Sequence, residues 1–236
     1  MKPGLLIAEA KRVKAVFPLS LMFLCACGTD YAGLRRPRKD VYPDFQALAS
    51  VYVEGRDYSR EIYNRNSPVS IFAIHGGDIE TTTARLARNI AGADFNLYIF
   101  NGWLGPDSRK LHITAVNFDD PQALALSSGV VFAVSLHAQA DRGQWVCVGG
   151  ANADAGGLVA AALSSAGFET EFPCRRLPGA NARNIVNRAL SGGVQLEITL
   201  KLLERLETYP ADLAKFTSAV RDSILEVVKK EKGTAK

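Results

Sequence analysis

The fold is decided by one short stretch, Ile71-Phe72-Ala73-Ile74-His75-Gly76-Gly77-Asp78-Ile79-Glu80. Its first four residues form an apolar run that is short enough for a buried strand, and His75 follows this run directly. Two glycines then allow a sharp turn, and Glu80 falls in the first turn of the helix predicted to follow. We therefore predict a strand that delivers His75 to the carboxyl edge of a sheet, with Glu80 within reach of the same point.

The chain on either side alternates short apolar runs with longer amphipathic ones, a pattern typical of an α/β domain. The predicted strands are Val69–Ile74, Phe95–Phe100, Leu111–Ala115, Val130–Leu136, Trp145–Val148 and Val194–Thr199. The predicted helices are Glu80–Ala91, Pro121–Ser128, Ala155–Ala166, a turn or helix at Asn184–Leu190, Leu200–Thr208 and Ala211–Lys230. Helices between strands predict a single domain whose mixed, mostly parallel sheet carries helices on both faces.

The three histidines all lie at or inside predicted strands. His75 and His137 each close an apolar run, and His112 falls within Leu111–Ala115. A lone strand-end histidine is more often a hydrogen-bonded structural residue than a ligand. Two imidazoles and one carboxylate with an open fourth position, however, make a catalytic zinc site. We therefore predict that His75, Glu80 and His137 hold one zinc ion.

Glu197 lies in the apolar run Val194–Thr199. A carboxylate inside a buried strand is costly unless it is paired, hydrogen-bonded or near a metal. Two interpretations stay open at this point. One is a structural salt bridge to an arginine such as Arg183 or Arg188, and the other is a place beside the zinc ion.

Seven short segments of the chain resemble segments of one known protein family. They are Ile74–Glu80, Leu111–Thr114, Phe118–Pro121, Val134–His137, Val148–Gly150, Asn184–Arg188 and Gly193–Glu197. In this order, over about residues 58 to 200, they resemble the poly-γ-glutamate hydrolase family of phages and bacteria. The chain departs from the family pattern at Ala138, where a glycine usually follows the histidine, and at Thr81–Thr83. Both departures flank the metal, so they concern the fit of the substrate rather than metal binding.

The resemblance implies a zinc carboxypeptidase-like fold, metal ligands matching His75, Glu80 and His137, and hydrolysis of γ-glutamyl amide bonds. By analogy with metallocarboxypeptidases, Glu197 is expected to act as general base on a zinc-activated water and then as general acid. His112 is a second catalytic candidate, which would either polarise the scissile carbonyl or orient a metal ligand.

An anionic γ-glutamyl peptide or polymer needs a cation and an amide donor to bind it, which Arg188 and Asn187 could supply. A capping or structural role for these two residues is equally open. Two other functions are also open. The first is a zinc amidohydrolase of small acyl-glutamates or short peptides, and the second is a non-catalytic, lipid-anchored binding protein.

The first 26 residues have the parts of a signal peptide. A basic stretch ends at Lys14, and the apolar run Ala15–Ala26 that follows is shorter than the roughly 20 residues needed to span a bilayer. Leu24-Cys25-Ala26-Cys27 resembles the lipobox of bacterial lipoproteins. We predict a signal peptide over 1–26, lipidation of Cys27, a tether over 27–44 and a zinc hydrolase domain over 45–236. The protein would be exported to the periplasm or cell envelope; an uncleaved or simply secreted leader is the alternative.

Most of the net charge of +4 belongs to the leader. The remaining chain is therefore nearly neutral, which predicts neither a nucleic-acid partner nor membrane contact beyond the lipidated N-terminus. We also expect a monomer. Besides Cys27, the processed chain keeps Cys147 and Cys174. An oxidising compartment favours a disulfide between them, but spacing alone leaves that pairing open.

Overall fold

The computed structural model describes Met1 and residues 39–234, with side chains through residue 231. The chain divides into two units, Met1–Tyr31 and Ala32–Lys236, and every described residue except Met1 belongs to the second unit. The predicted signal peptide and Cys27 lie outside the described residues. Within the described ranges, no helix has both the length and the apolar character needed to cross a membrane.

Seven strands in the described part of the chain form one mixed sheet. They are β1 (Tyr58–Tyr63), β2 (Val69–Gly77), β3 (Asn96–Gly102), β4 (Phe132–Gln139), β5 (Trp145–Gly150), β6 (Glu169–Glu171) and β7 (Gly193–Thr199), in the order β1-β3-β2-β4-β7-β5-β6. The four central strands β3, β2, β4 and β7 are parallel. β1 and β5 run antiparallel to their central neighbours. The mostly parallel sheet predicted from the sequence is thereby confirmed.

Helices cover both faces of this sheet. They are α1 (Phe45–Ala49), α2 (Thr83–Ala91), α3 (Pro121–Ser128), α4 (Ala153–Ser165), α5 (Leu200–Thr208) and α6 (Pro210–Thr234). Along β2, Ile71 and Ala73 pack on the side of α2, α4, α5 and α6, whereas Phe72 and Ile74 pack on the side of α1 and α3. Both faces are buried, which explains why β2 reads as a continuous apolar run instead of an alternating one.

One predicted strand is wrong. A 3₁₀ segment over Gly105–Leu111 replaces the start of the predicted strand Leu111–Ala115, and the rest pairs with no strand of the described chain. Leu111 and Ile113 are fully buried in the same hydrophobic cluster as Phe118. The alternation therefore reflects the packing of a loop across the end of the sheet, not the pairing of a strand.

The described part of the predicted tether is folded onto the domain. Asp44 caps α1 by accepting a hydrogen bond from the Ala47 amide at 2.7 Å. The ring of Tyr42 packs edge-on against that of Tyr52, with centroids 5.7 Å apart. The folded domain thus begins several residues before the boundary at 45 that the sequence predicted, because residues 39–44 carry capping and packing groups that composition alone does not reveal.

Candidate metal centre

The carboxyl ends of three neighbouring parallel strands bring the candidate residues together. His75 lies near the end of β2, and His137 lies near the end of β4 in register with Glu197 of β7. Glu80 returns to the same point because its amide donates to the His75 carbonyl at 2.8 Å. The turn needs glycine at Gly77, whose φ is +65° and where a Cβ would lie 2.4 Å from the Gly102 carbonyl oxygen.

Three ligating groups converge on one point. His75 Nδ1 lies 3.2 Å from His137 Nδ1 and 3.0 Å from Glu80 Oε1. His137 Nδ1 lies 3.7 Å from Glu80 Oε2. Two ligands about 2.0–2.1 Å from a tetrahedral zinc ion lie about 3.3–3.4 Å apart, so these separations match a shared ion.

The hydrogen bonds and charges suit metal ligation. His75 Nε2 donates to the Ile113 carbonyl at 2.9 Å, which leaves a lone pair on Nδ1 in the neutral ring. Burial lowers the pKa of His137 to about 3, so this imidazole is neutral at pH 7. Burial works to raise the pKa of Glu80, but its interaction with His75, which includes a hydrogen bond, and the electrostatic effects of His137 and His112 together outweigh burial and hold the value at about 2. The same carboxylate raises the pKa of His75 against the effect of burial.

The two ring nitrogens of His137 have different surroundings. Within the part of the chain that the structure describes, His137 Nε2 is buried and has no hydrogen-bond partner. The other nitrogen of this ring faces His75 Nδ1 and the Glu80 carboxylate. Unprotonated nitrogens and a carboxylate that face one another at this distance repel unless a proton or a metal cation lies between them. The donor set therefore fits a metal ion.

His112 joins the same cluster from the loop that follows the 3₁₀ segment. Its ring stacks on His75 with centroids 4.0 Å apart and planes 24° apart. His75, Glu80 and His112 also offer ligating atoms within 4.8 Å of one another. Burial lowers the pKa of His112 to about 4, and its Nδ1 donates to Asp40 Oδ1 at 2.8 Å. Asp40 also accepts from the Thr114 amide at 2.7 Å, which fixes the loop.

Glu197 is 7% exposed and accepts a hydrogen bond from Gln195 Nε2 at 2.9 Å. Burial raises its pKa well above the ordinary value, and the charge of Glu80 adds to that rise. Among the described residues, the Glu197 side chain is hydrogen-bonded to Gln195 and forms no ion pair, and Arg183 instead donates to the Asn117 side chain at 2.7 Å. The salt bridge to Arg183 or Arg188 considered from the sequence is therefore absent there.

Asn187 and Arg188 lie in a 3₁₀ segment over Ile185–Arg188. Both N–H donors of Asn187 are used inside the protein, by the carbonyls of Gly179 at 2.6 Å and Asn181 at 2.9 Å. Its Oδ1 accepts from the Ala151 amide at 3.0 Å. The contacts of Asn187 are thus those of a residue that holds a loop, and the side chain of Arg188 is exposed.

Two polar residues near Glu197 were not predicted. Gln139 Nε2 donates to the Glu197 carbonyl at 2.9 Å, and Gln139 Oε1 accepts from Arg176 at 2.9 Å. Arg176 also pairs with Asp141 at 2.6 Å. Gln139 lies two residues after His137 on the same face of β4, so strand alternation could have identified it. Arg176 lies in a loop whose position the sequence does not reveal.

Cys147 and Cys174 form the disulfide that the sequence left open, with Cα atoms 4.9 Å apart. Cys147 pairs in register with Glu197 across β5 and β7. Cys174 lies two residues before Arg176. The disulfide therefore fastens the Arg176 loop to the strand beside Glu197.

The chain is similar in sequence to curated bacterial proteins. The prophage-derived UPF0714 protein YoqZ of Bacillus subtilis (strain 168) is 39% identical over 134 residues, which is 56% of this chain and 48% of YoqZ. The UPF0714 protein YndL of the same organism is 32% identical over 164 residues, which is 68% of this chain and 64% of YndL. The chain thus spans about half the length of YoqZ and slightly under two thirds of YndL.

The chain is also similar to two solved structures. A bacteriophage poly-γ-glutamate hydrolase superimposes with a TM-score of 0.76 at 28% identity, covering 81% of this chain and 99% of the other. An apo, zinc-free structure of YndL superimposes with a TM-score of 0.73 at 27% identity, covering 79% and 98%. The family model described as poly-γ-glutamate hydrolase matches residues 42–212. This chain belongs to the poly-γ-glutamate hydrolase family.

Proposed function

We propose that this protein is a zinc-dependent amidohydrolase that cleaves γ-glutamyl amide bonds in poly-γ-glutamate or a related anionic peptide. The observation that carries the proposal is the convergence of His75, His137 and Glu80 at separations of 3.0–3.7 Å. The description of one YndL structure as zinc-free supports zinc as the metal. When bound, zinc supplies a Lewis acid that activates water and stabilises negative charge on the substrate oxygen.

His137 suits the role of third ligand better than His112. Its Nδ1 faces His75 Nδ1 at 3.2 Å, whereas the ring of His112 is stacked nearly parallel to that of His75. Ring nitrogens present their lone pairs in the plane of the ring, so two nearly parallel rings do not aim at one point. His112, held by Asp40, would instead fix the orientation of the His75 ring or polarise the scissile carbonyl.

Glu197 is the proposed proton carrier. A buried carboxyl group with a raised pKa binds a proton more readily than an exposed one. In this role, it accepts a proton from the attacking water and returns it to the leaving amine. A binding protein has no use for such a group beside three metal ligands, so Glu197 favours an enzyme over a non-catalytic, lipid-anchored protein.

The experiment combines metal analysis with an assay of product size. We expect about one zinc ion per chain and shortening of poly-γ-glutamate that a chelator abolishes and added zinc restores. Cleavage of small acyl-glutamates or short peptides without shortening of the polymer would support the second enzyme function. A zinc-loaded protein that cleaves none of these substrates would be the binding protein.

We further propose that the chain is exported and anchored by a lipid at Cys27, because the lipobox-like sequence follows a basic and then apolar leader. Mass spectrometry of the membrane fraction should find an acylated N-terminal Cys27. The Cys27→Ser variant should lose the lipid and leave the membrane fraction. An unmodified Cys27, or a mature chain that still begins at Met1, would contradict this prediction.

A further inference from the structure

A cavity of about 190 Å³ lies beside His112. Arg109, His112 and Asp40 are among the residues that line it. Since His112 stacks directly on His75, the cavity lies one imidazole ring away from the predicted metal ligands. A group that occupies it would contact His112, whose ring in turn contacts the ring of His75.

Among the described residues, some of the charged groups that line this cavity have hydrogen-bond or ion-pair partners, and others do not. Lys110 pairs with Asp107 at 3.0 Å, and Asp40 accepts hydrogen bonds from His112 and Thr114. Arg109 is partly buried, and its side chain, by contrast, has no hydrogen-bond or ion-pair partner among the side chains described over residues 39–231. A partly desolvated guanidinium without an acceptor is suited to a planar carboxylate, which it can bind through two parallel hydrogen bonds.

We propose that Arg109 and this cavity bind the α-carboxylate of a glutamyl residue adjoining the scissile amide. In a γ-linked chain, the amide uses the side-chain carboxyl, so the α-carboxylate next to each amide stays free. An α-linked peptide has no carboxylate at that position. Arg109 would thereby distinguish γ-linked from ordinary peptide bonds. This inference rests on the proposed function, whose substrate it specifies.

The test compares Arg109→Met, Arg109→Lys and a control, Arg85→Met, in the zinc-loaded protein. Arg85 lies on α2, where its charge is paired with Glu207 at 2.8 Å. With poly-γ-glutamate, Arg109→Met should raise KM about tenfold or more at nearly unchanged kcat, because a charge-assisted hydrogen bond is lost. Arg109→Lys should recover part of the loss, and Arg85→Met should behave as wild type.

A second substrate, the same polymer with α-carboxamides, isolates the carboxylate. The wild-type protein should prefer the acid polymer by about tenfold or more in kcat/KM, and Arg109→Met should lose this preference. A preference of equal size in both proteins, or an unchanged KM in Arg109→Met, would overturn the inference. A fall in kcat alone would overturn it as well, because it would indicate a structural role. Absence of turnover in the wild-type protein would instead refute the proposed function.

Discussion

Replacing His75 or His137 by alanine is expected to empty the metal centre and abolish hydrolysis. Each substitution removes one of the three groups that converge at 3.0–3.7 Å. Loss of a residue that only orients a metal ligand typically weakens binding by about 10–100-fold, so loss of a ligand should weaken it by more. Zinc per chain, measured after dialysis against a weak chelator, should fall to near zero in both variants.

The control for this prediction is His112→Ala. Its ring stacks on His75 but is held by Asp40, so this variant should retain zinc under the same dialysis. Thermal unfolding gives a second measurement, since zinc that binds only the folded state raises Tm in proteins that keep the site. Loss of zinc from His112→Ala, together with its retention in His137→Ala, would show that His112 and not His137 is the third ligand.

The parts of the fold that could be predicted are those whose residues are buried on both faces. β2, β4 and β7 read as apolar runs because helices cover both sides of the sheet. β1 was not predicted, because this strand, Tyr58-Ser-Arg-Glu-Ile-Tyr63, lies at the edge of the described sheet, where it pairs with β3, and carries polar residues. β6 has three residues, too few for any periodicity to show.

Some residues of the candidate site could likewise be predicted from the sequence, and others could not. His75, His137 and Glu197 could be found because each interrupts or closes an apolar strand, and parallel strands end at one edge. Asp40 and Arg109 could not, because Asp40 lies outside regular structure and Arg109 lies in a short 3₁₀ segment. The place of Asp40 beside His112 depends on how two distant parts of the chain pack together, for which a single sequence carries no periodic signal.

The largest effect on turnover with the least effect on structure is expected from Glu197→Gln. Glutamine fills the same space and can still accept the hydrogen bond from Gln195, but it cannot carry the proton. The loss should be about 10²- to 10⁴-fold and should appear in kcat rather than in KM. Steady-state kinetics on poly-γ-glutamate measure it, after zinc content has been shown to equal that of the wild type.

The stability of this variant gives an independent check. An acid whose pKa is raised by folding binds its proton more tightly in the folded state, so its ionisation opposes folding as pH rises above the unfolded value. Glu197→Gln removes that penalty, so after zinc has been removed from both proteins its Tm at pH 7 should equal or exceed that of the wild type. Glu204→Gln, which changes an exposed glutamate on α5, should alter neither kcat nor Tm. A folded, zinc-loaded Glu197→Gln with turnover within about threefold of wild type would exclude Glu197 as the proton carrier. A variant that fails to fold would show instead that the carboxyl group serves the structure.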